Sequence, residues 1–294
     1  MKIDNRPKVI AEIGCNHRGE FETAKELIML AKACGAYAAK FQKRNSKELL
    51  TEDQYNAPHP NPSHAYGTTY GAHREFLEFT VTQHAELKKY CESIGIVYST
   101  SVWDLSSAKE IIGLKPDFIK VPSACNNHLQ MMELLRDSYS GEVHISTGMT
   151  SLSEIEKFVQ IFEEKNQAKD RLVVYSCTSG YPVPFEDVCL LEISRLTDKY
   201  KSRVKSIAFS GHHLGIAIDI AAYALGATII ERHFTKDRTW KGTDHAASLE
   251  PAGMQKLCRD LNATHKALSY KQAEILSIEQ IQRDKLKYRE KKAA

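Results

Sequence analysis

The chain repeats one unit eight times: a short run suited to a β-strand, then a stretch with helical periodicity. The runs cover residues 9–14, 37–42, 96–101, 118–123, 142–148, 172–177, 206–212 and 229–234. Helix signals fill the spaces between them. Residues 23–35 close on Gly35 as a C-cap glycine, and Ser151 opens a capping box with Glu154. Alternating strands and helices imply a parallel sheet covered by helices. Eight units in 294 residues predict an α/β fold of the (β/α)8 TIM barrel type rather than an open doubly wound sheet. The barrel is expected over residues 1–270, and a basic C-terminal helical tail over 271–294.

Composition bounds what surrounds this pattern. A hydrophobic content of 42% is enough for a sizeable core, and a net charge of +3 makes no case for nucleic acid as a partner. The basic tail has glutamates among its lysines and reads as a solvated helix face. There is no run of 18 apolar residues and no charged-then-apolar leader, so a soluble, cytoplasmic protein without a membrane partner is expected. Seven cysteines without a CxxC pair fit free thiols in a reducing compartment. Residues 45–71, rich in proline and aromatic side chains, read as an unstructured connection, either a lid or binding loop or a disordered insertion.

In a (β/α)8 barrel the chemistry sits at the C-terminal ends of the strands. Here those ends carry Glu12, Lys40, Gln42, Thr100, Lys120, Ser123, Ser146, Ser179, Ser210, His212 and His233. Lysine is rarely buried without a partner, so two lysines inside apolar strands stand out. Lys40 and Lys120, with hydroxyls from Thr100, Ser123, Ser146 and Ser210, predict a cationic cup for a phosphate or carboxylate; snorkelling to the rim is the alternative. The stretch Ser210–Phe234 places histidines at both borders of an apolar run. On adjacent strands, His212 and His233 could share a divalent metal, with Asp244 and Cys15 as further candidate ligands; each could instead be a hydrogen-bonded core histidine. His213 and His245 are expected to flank the site.

These residues lie in segments that resemble the sialic acid synthases and their relatives making other nonulosonic acids. The segments are AlaGluIleGlyCysAsnHisArgGly (11–19), LysPheGln (40–42), SerThr (99–100), LysValProSer (120–123), SerThrGlyMet (146–149), CysThrSerGlyTyrPro (177–182), SerGlyHisHisLeuGly (210–215), and GluArgHisPheThrLysAspArgThr through AspHisAlaAlaSerLeuGluPro (231–251). The resemblance implies a (β/α)8 barrel that joins phosphoenolpyruvate to the open-chain aldehyde of N-acetylmannosamine or a related amino sugar, with loss of phosphate. It implies a phosphoenolpyruvate site of Lys40, Thr100, Lys120, Ser123, Ser146 and Ser210, with Ser179 at a position often filled by asparagine. His212 and His233 become ligands of a divalent metal, usually manganese. Glu12, Gln42, Tyr181 and Asp244 become contacts to the sugar or to metal-bound water, and a homo-oligomer is expected.

Three departures accompany the resemblance. Ser123, Ala124 and Cys125 stand where the family usually has Ser, Gly and a glutamate proposed as acid–base, which makes Cys125 a candidate catalytic residue beside Glu12, Lys40 and Lys120. SerGlyHis at 210–212 replaces SerAspHis. The stretch after the barrel is too short for the antifreeze-like domain of many bacterial members. A barrel that binds ligand without turnover, and a Schiff-base aldolase working through Lys40 or Lys120, remain alternatives.

Overall fold

The computed structural model describes residues 6–289. Eight parallel strands form a closed barrel: β1 (Lys8–Gly14), β2 (Ala38–Lys43), β3 (Val97–Val102), β4 (Phe118–Val121), β5 (Glu142–Ser146), β6 (Leu172–Cys177), β7 (Ser206–Gly211) and β8 (Ile229–His233). β1 closes on β8 in a register running from Lys8↔Ile229 to Glu12↔His233. All eight predicted strands are present.

Strand side chains alternate between two apolar environments. Outward residues such as Ala11, Ile13, Phe41, Tyr98, Val121 and Val174 join the large core between strands and helices. Inward residues Ile10, Ala38, Phe118, Val173, Ala208 and Ile229 form a smaller apolar floor inside the barrel, together with Tyr175. Full burial of one such aliphatic or aromatic side chain stabilises the fold by about 1.5–3 kcal/mol.

The helices follow from local signals. In Leu152–Glu163, Ser151 accepts from the Glu154 N–H, and Glu154 accepts from the Ser151 N–H, as the capping box predicts. Its Ile155, Phe158, Val159 and Phe162 fall on one buried stripe. Gly35, with φ +89°, follows the end of Phe21–Ala33 in a conformation that penalises a Cβ.

Residues 45–71 correct the expectation of an unstructured connection. They fold into helices Ser46–Leu49 and Glu52–Asn56 and a 3-10 turn Pro62–His64, leading into the helix Tyr70–Phe76. Thr51 and Gln54 form a capping box that the proline-rich composition masked. The segment is tied to the loop after β8: His64 Nδ1 accepts from the Gly242 N–H at 3.2 Å, and the Tyr66 hydroxyl donates to the Lys241 carbonyl.

At the other end, a helix Ser277–Leu286 has no buried residue. Residues 290–294 of the expected tail lie outside the described residues. Among the described residues no helix is long and apolar enough to cross a membrane.

Candidate active site

One step above the apolar floor, the inward positions turn polar. Glu12, Lys40, Lys120, Ser146, Ser210, Glu231 and His233 line a cavity of about 500 Å³ at the C-terminal mouth of the barrel. Gln42, Ser101, Ser123, Cys177, Ser179, Tyr181 and His212 line it too.

The two lysines differ in what holds them. Lys40, 1% exposed, pairs with Glu12, lies 3.6 Å from Glu231 and donates to Ser101 Oγ at 2.8 Å. Of the three N–H donors of its ammonium, Glu12 and Ser101 answer two, and Glu231 stands at ion-pair distance from the third. Lys120 pairs with Glu231, and its Nζ stands 4.1 Å from the Tyr175 ring centre. That leaves Lys120 with donors no carboxylate occupies. Burial works to lower the pKa of both. For Lys40 the charges of Glu12 and Glu231 outweigh burial and raise it; for Lys120 Glu231 offsets burial only in part, Lys40 adds repulsion, and the pKa is lowered.

Glu231 is the residue that sequence reasoning missed. Burial alone would favour its neutral form, but Lys120 and Lys40 hold it as a carboxylate far below the usual range, and Ser210 Oγ donates to it at 2.9 Å. The expected cationic cup is therefore a charge-balanced ring of Lys40, Lys120, Glu12 and Glu231. The signal was available: Glu231 is two residues from both Ile229 and His233, so alternation puts it on the inner face.

Alternation also corrects strand β3. Thr100 has the outward parity of Tyr98 and is fully buried outside the cavity, while Ser101 occupies the inner position expected of it. Cys125 is displaced as well. It lies on a one-turn 3-10 segment after β4 and lines a smaller adjoining cavity, whereas Ala124 borders the main one. Burial pushes the Cys125 thiol up to about 12, so it is neutral and is no substitute for a carboxylate.

His212 and His233 meet as expected, with ring centres 5.4 Å apart. The Thr178 carbonyl lies 3.1 Å from His212 Nδ1, which fixes that nitrogen as the donor and leaves Nε2 with its lone pair. Burial and the neighbouring His233 push the His212 pKa down to about 3, so the imidazole is neutral. His233 Nδ1 is buried with no hydrogen-bond partner and stands 4.0 Å from Asp244 Oδ2. The Tyr181 ring packs 4.4 Å from His212 and 5.9 Å from His233.

Among the described residues no group of three or more His, Cys, Asp and Glu side chains is gathered closely enough to hold a metal. Cys15 is engaged elsewhere, its sulfur accepting from Arg44 Nη2 at 2.6 Å. His213 belongs to a fully buried network with Arg232 and Asp219, and His245 is hydrogen-bonded to Thr235.

The seryl groups are set by close backbone approach. Ser123 Oγ accepts from the Gly148 N–H at 3.0 Å, and a Cβ at Gly148 would fall 2.3 Å from Ser179 Oγ. Only glycine lets the β5 loop bring these hydroxyls together. Gln42 donates to Glu12 Oε1 at 3.0 Å and fixes that carboxylate beside Lys40.

The NeuB family profile matches residues 27–273. The human N-acetylneuraminate-9-phosphate synthase is 38% identical over 278 residues, spanning 95% of this chain and 76% of its own length. The N,N'-diacetyllegionaminic acid synthase of Campylobacter jejuni is 32% identical over 260 residues, 88% of this chain and 77% of its own. Among solved structures, the N-acetylneuraminic acid synthetase of Leptospira borgpetersenii serovar Hardjo-bovis, in complex with citrate, superposes with a TM-score of 0.81 at 30% identity, covering 97% of this chain and 94% of that one.

Proposed function

The chain belongs to the NeuB family, and from that premise we propose how its residues carry out the reaction. It condenses phosphoenolpyruvate with a sugar to form a nonulosonic acid. The observation that carries our assignment of roles is Lys120: a buried ammonium with free donors, surrounded by hydroxyls and held by Glu231.

Phosphoenolpyruvate binds over the ring, its phosphate and carboxylate oxygens accepting from Lys120 and from Ser123, Ser146, Ser179 and Ser210. The acceptor is the open-chain aldehyde of an amino sugar. C3 of the enol attacks the aldehyde carbon, and the aldehyde oxygen takes up a proton to become a hydroxyl. Water adds to C2 and passes a proton to Glu12, which Gln42 and Lys40 hold in place. The tetrahedral centre then collapses: the bond from C2 to the bridging phosphate oxygen breaks, phosphate leaves with that electron pair and takes the proton of the C2 hydroxyl as its oxygen becomes the carbonyl, and a keto acid remains. Holding both reactants over preformed charges provides orientation and electrostatic stabilisation.

A divalent cation, Mn²⁺ by preference, is part of this proposal. The neutral His212 imidazole and the unpartnered, buried Nδ1 of His233 support it, and His212 and His233 would hold the ion. When bound it supplies Lewis-acid polarisation of the aldehyde oxygen. A cytoplasmic setting, supported by seven free thiols, and a homo-oligomeric assembly complete the proposal.

The test is phosphate release from phosphoenolpyruvate against a panel of amino-sugar aldehydes, with and without Mn²⁺, with the product weighed by mass spectrometry. One phosphate per nonulosonic acid is expected. Phosphoenolpyruvate binding without phosphate release for any acceptor would instead identify a ligand-binding barrel.

A further inference from the structure

A polar thread crosses the apolar floor beneath the ring. Glu142, His144 and Ser146 alternate with the outward Val143 and Ile145 along β5, and Tyr175 stands between the inward Val173 and Cys177 on β6. Register sets His144 beside Lys120 on β4 and beside Val173 on β6. The reaction assigned above gives His144 and Tyr175 no part, although both are buried polar side chains.

Each link of the thread has a defined direction. Burial pushes the His144 pKa down, so its imidazole is neutral and carries one N–H. Nε2 stands 3.3 Å from the Glu142 carboxylate, which can only accept, and therefore bears the proton. Burial works against the charge of Glu142, but His144 and Lys205, the latter at 3.1 Å, hold its pKa down to about 2. His144 Nδ1 is then an acceptor, and the Tyr175 hydroxyl donates to it at 2.8 Å. The Phe118 ring stacks on the imidazole at 4.3 Å, but stacking does not fix rotation within the ring plane; the two directional hydrogen bonds do.

The thread ends on the Tyr175 ring, and that ring faces Lys120, whose Nζ is 4.1 Å from its centre. A cation is drawn to the negative face of an aromatic ring, more strongly where water is excluded. Donation by the hydroxyl leaves more electron density on the phenol, which strengthens the attraction. Lys40 shows the alternative: Glu12, Glu231 and Ser101 surround its ammonium. A second carboxylate at Lys120 would occupy its donors in the same way and repel an incoming anion. An aromatic face holds the charge without offering an oxygen acceptor.

We propose that Tyr175 is a positioning residue for Lys120: its ring, oriented through His144 and Glu142, seats the ammonium at the base of the cavity with N–H donors free for an anionic substrate. This rests on the synthase reading and adds a second layer beneath the phosphoenolpyruvate end of its site. Tyr175 is not among the residues that line the main cavity, so its effect on a bound anion passes through Lys120.

Titration calorimetry of phosphoenolpyruvate is run on the full-length protein, Tyr175→Leu, Tyr175→Phe and His144→Leu, each with and without Lys120→Met, and the melting temperature of each is recorded. Tyr175→Leu should weaken binding by about tenfold or more, while Tyr175→Phe, which keeps the aromatic face, should stay within about threefold of the native protein. His144→Leu, which frees the ring to turn, should weaken binding by about threefold or more. Beside Lys120→Met, Tyr175→Leu and His144→Leu should each change affinity by less than about twofold, since the group they act through is gone. Native affinity in Tyr175→Leu or His144→Leu with only the melting temperature lowered, or a loss that persists beside Lys120→Met, overturns the proposal and leaves the synthase reading intact. If Tyr175→Leu does not fold, His144→Leu carries the same two-background comparison. If phosphoenolpyruvate does not bind the native protein, the synthase reading fails, and crystal structures decide the positioning claim: displacement of Lys120 Nζ by about 1 Å or more in His144→Leu or Tyr175→Leu supports it, and an unmoved Nζ overturns it.

Discussion

Ala38 and Lys40 are neighbours on the inner face of β2, as are Phe118 and Lys120 on β4, and Ile229 and Glu231 on β8. In each pair the lower residue belongs to a dry apolar floor and the upper to a ring of four paired charges. The strands are the same; only the step differs. The floor excludes water from beneath the ring, so the ring's charges interact in a medium of lower dielectric than water. Buried ion pairs contribute little net stability, yet losing one partner is costly. The floor therefore holds the barrel together, while the ring adds little to stability and is where our proposal puts the chemistry.

The largest effect is expected where that contrast is broken in the ring. Glu231→Gln preserves shape but leaves Lys40 and Lys120 with Glu12 as their one carboxylate. Loss of one partner from a buried pair destabilises by about 3–5 kcal/mol, and turnover per folded molecule should fall by about 100-fold or more. Thermal melting and phosphate release measured on one preparation check both; near-native turnover would mean the ring is structural.

Phe118→Ala sharpens the comparison from below. Removing this floor residue, 2% exposed, should cost about 3–5 kcal/mol of stability. Turnover per folded molecule should stay within about threefold, since the ring is untouched. A hundredfold loss would show that floor and ring do not act separately.

The smallest effect tests the two faces of β3. Ser101→Ala removes a hydrogen bond to a charged group, worth about 1.5–3 kcal/mol, and should raise the KM for phosphoenolpyruvate by about tenfold. Thr100→Val, on the outer face, should leave that KM within about twofold. Equal effects would undo the inside–outside assignment of the strand.

The barrel was legible because its signal is repeated: eight runs and capped helices such as Ser151–Glu154 state the same topology many times. Lys40, Lys120 and the histidine pair were legible because such residues stand out in apolar strands. Thr100 and Cys125 were misplaced for a physical reason. Being at the end of a strand does not place a side chain inside the barrel; the period-2 alternation does, and after β4 the chain leaves the strand for a tight turn. Glu231 was overlooked because a single carboxylate carries no motif until its two lysines are brought to it from β2 and β4.

The assignment stands most directly on the affinity of phosphoenolpyruvate for Lys120→Met, read by titration calorimetry. Methionine keeps the stem and removes the donors, so affinity should fall by about tenfold or more, the equivalent of about 1.5–3 kcal/mol for a charged hydrogen bond. The double variant Lys120→Met/Glu231→Gln restores neutrality to the ring without restoring the donors, and its affinity should remain low. Wild-type affinity in the single variant, or its full recovery in the double variant, would contradict the account: the first would take Lys120 out of the phosphoenolpyruvate site, and the second would reduce its role to net charge.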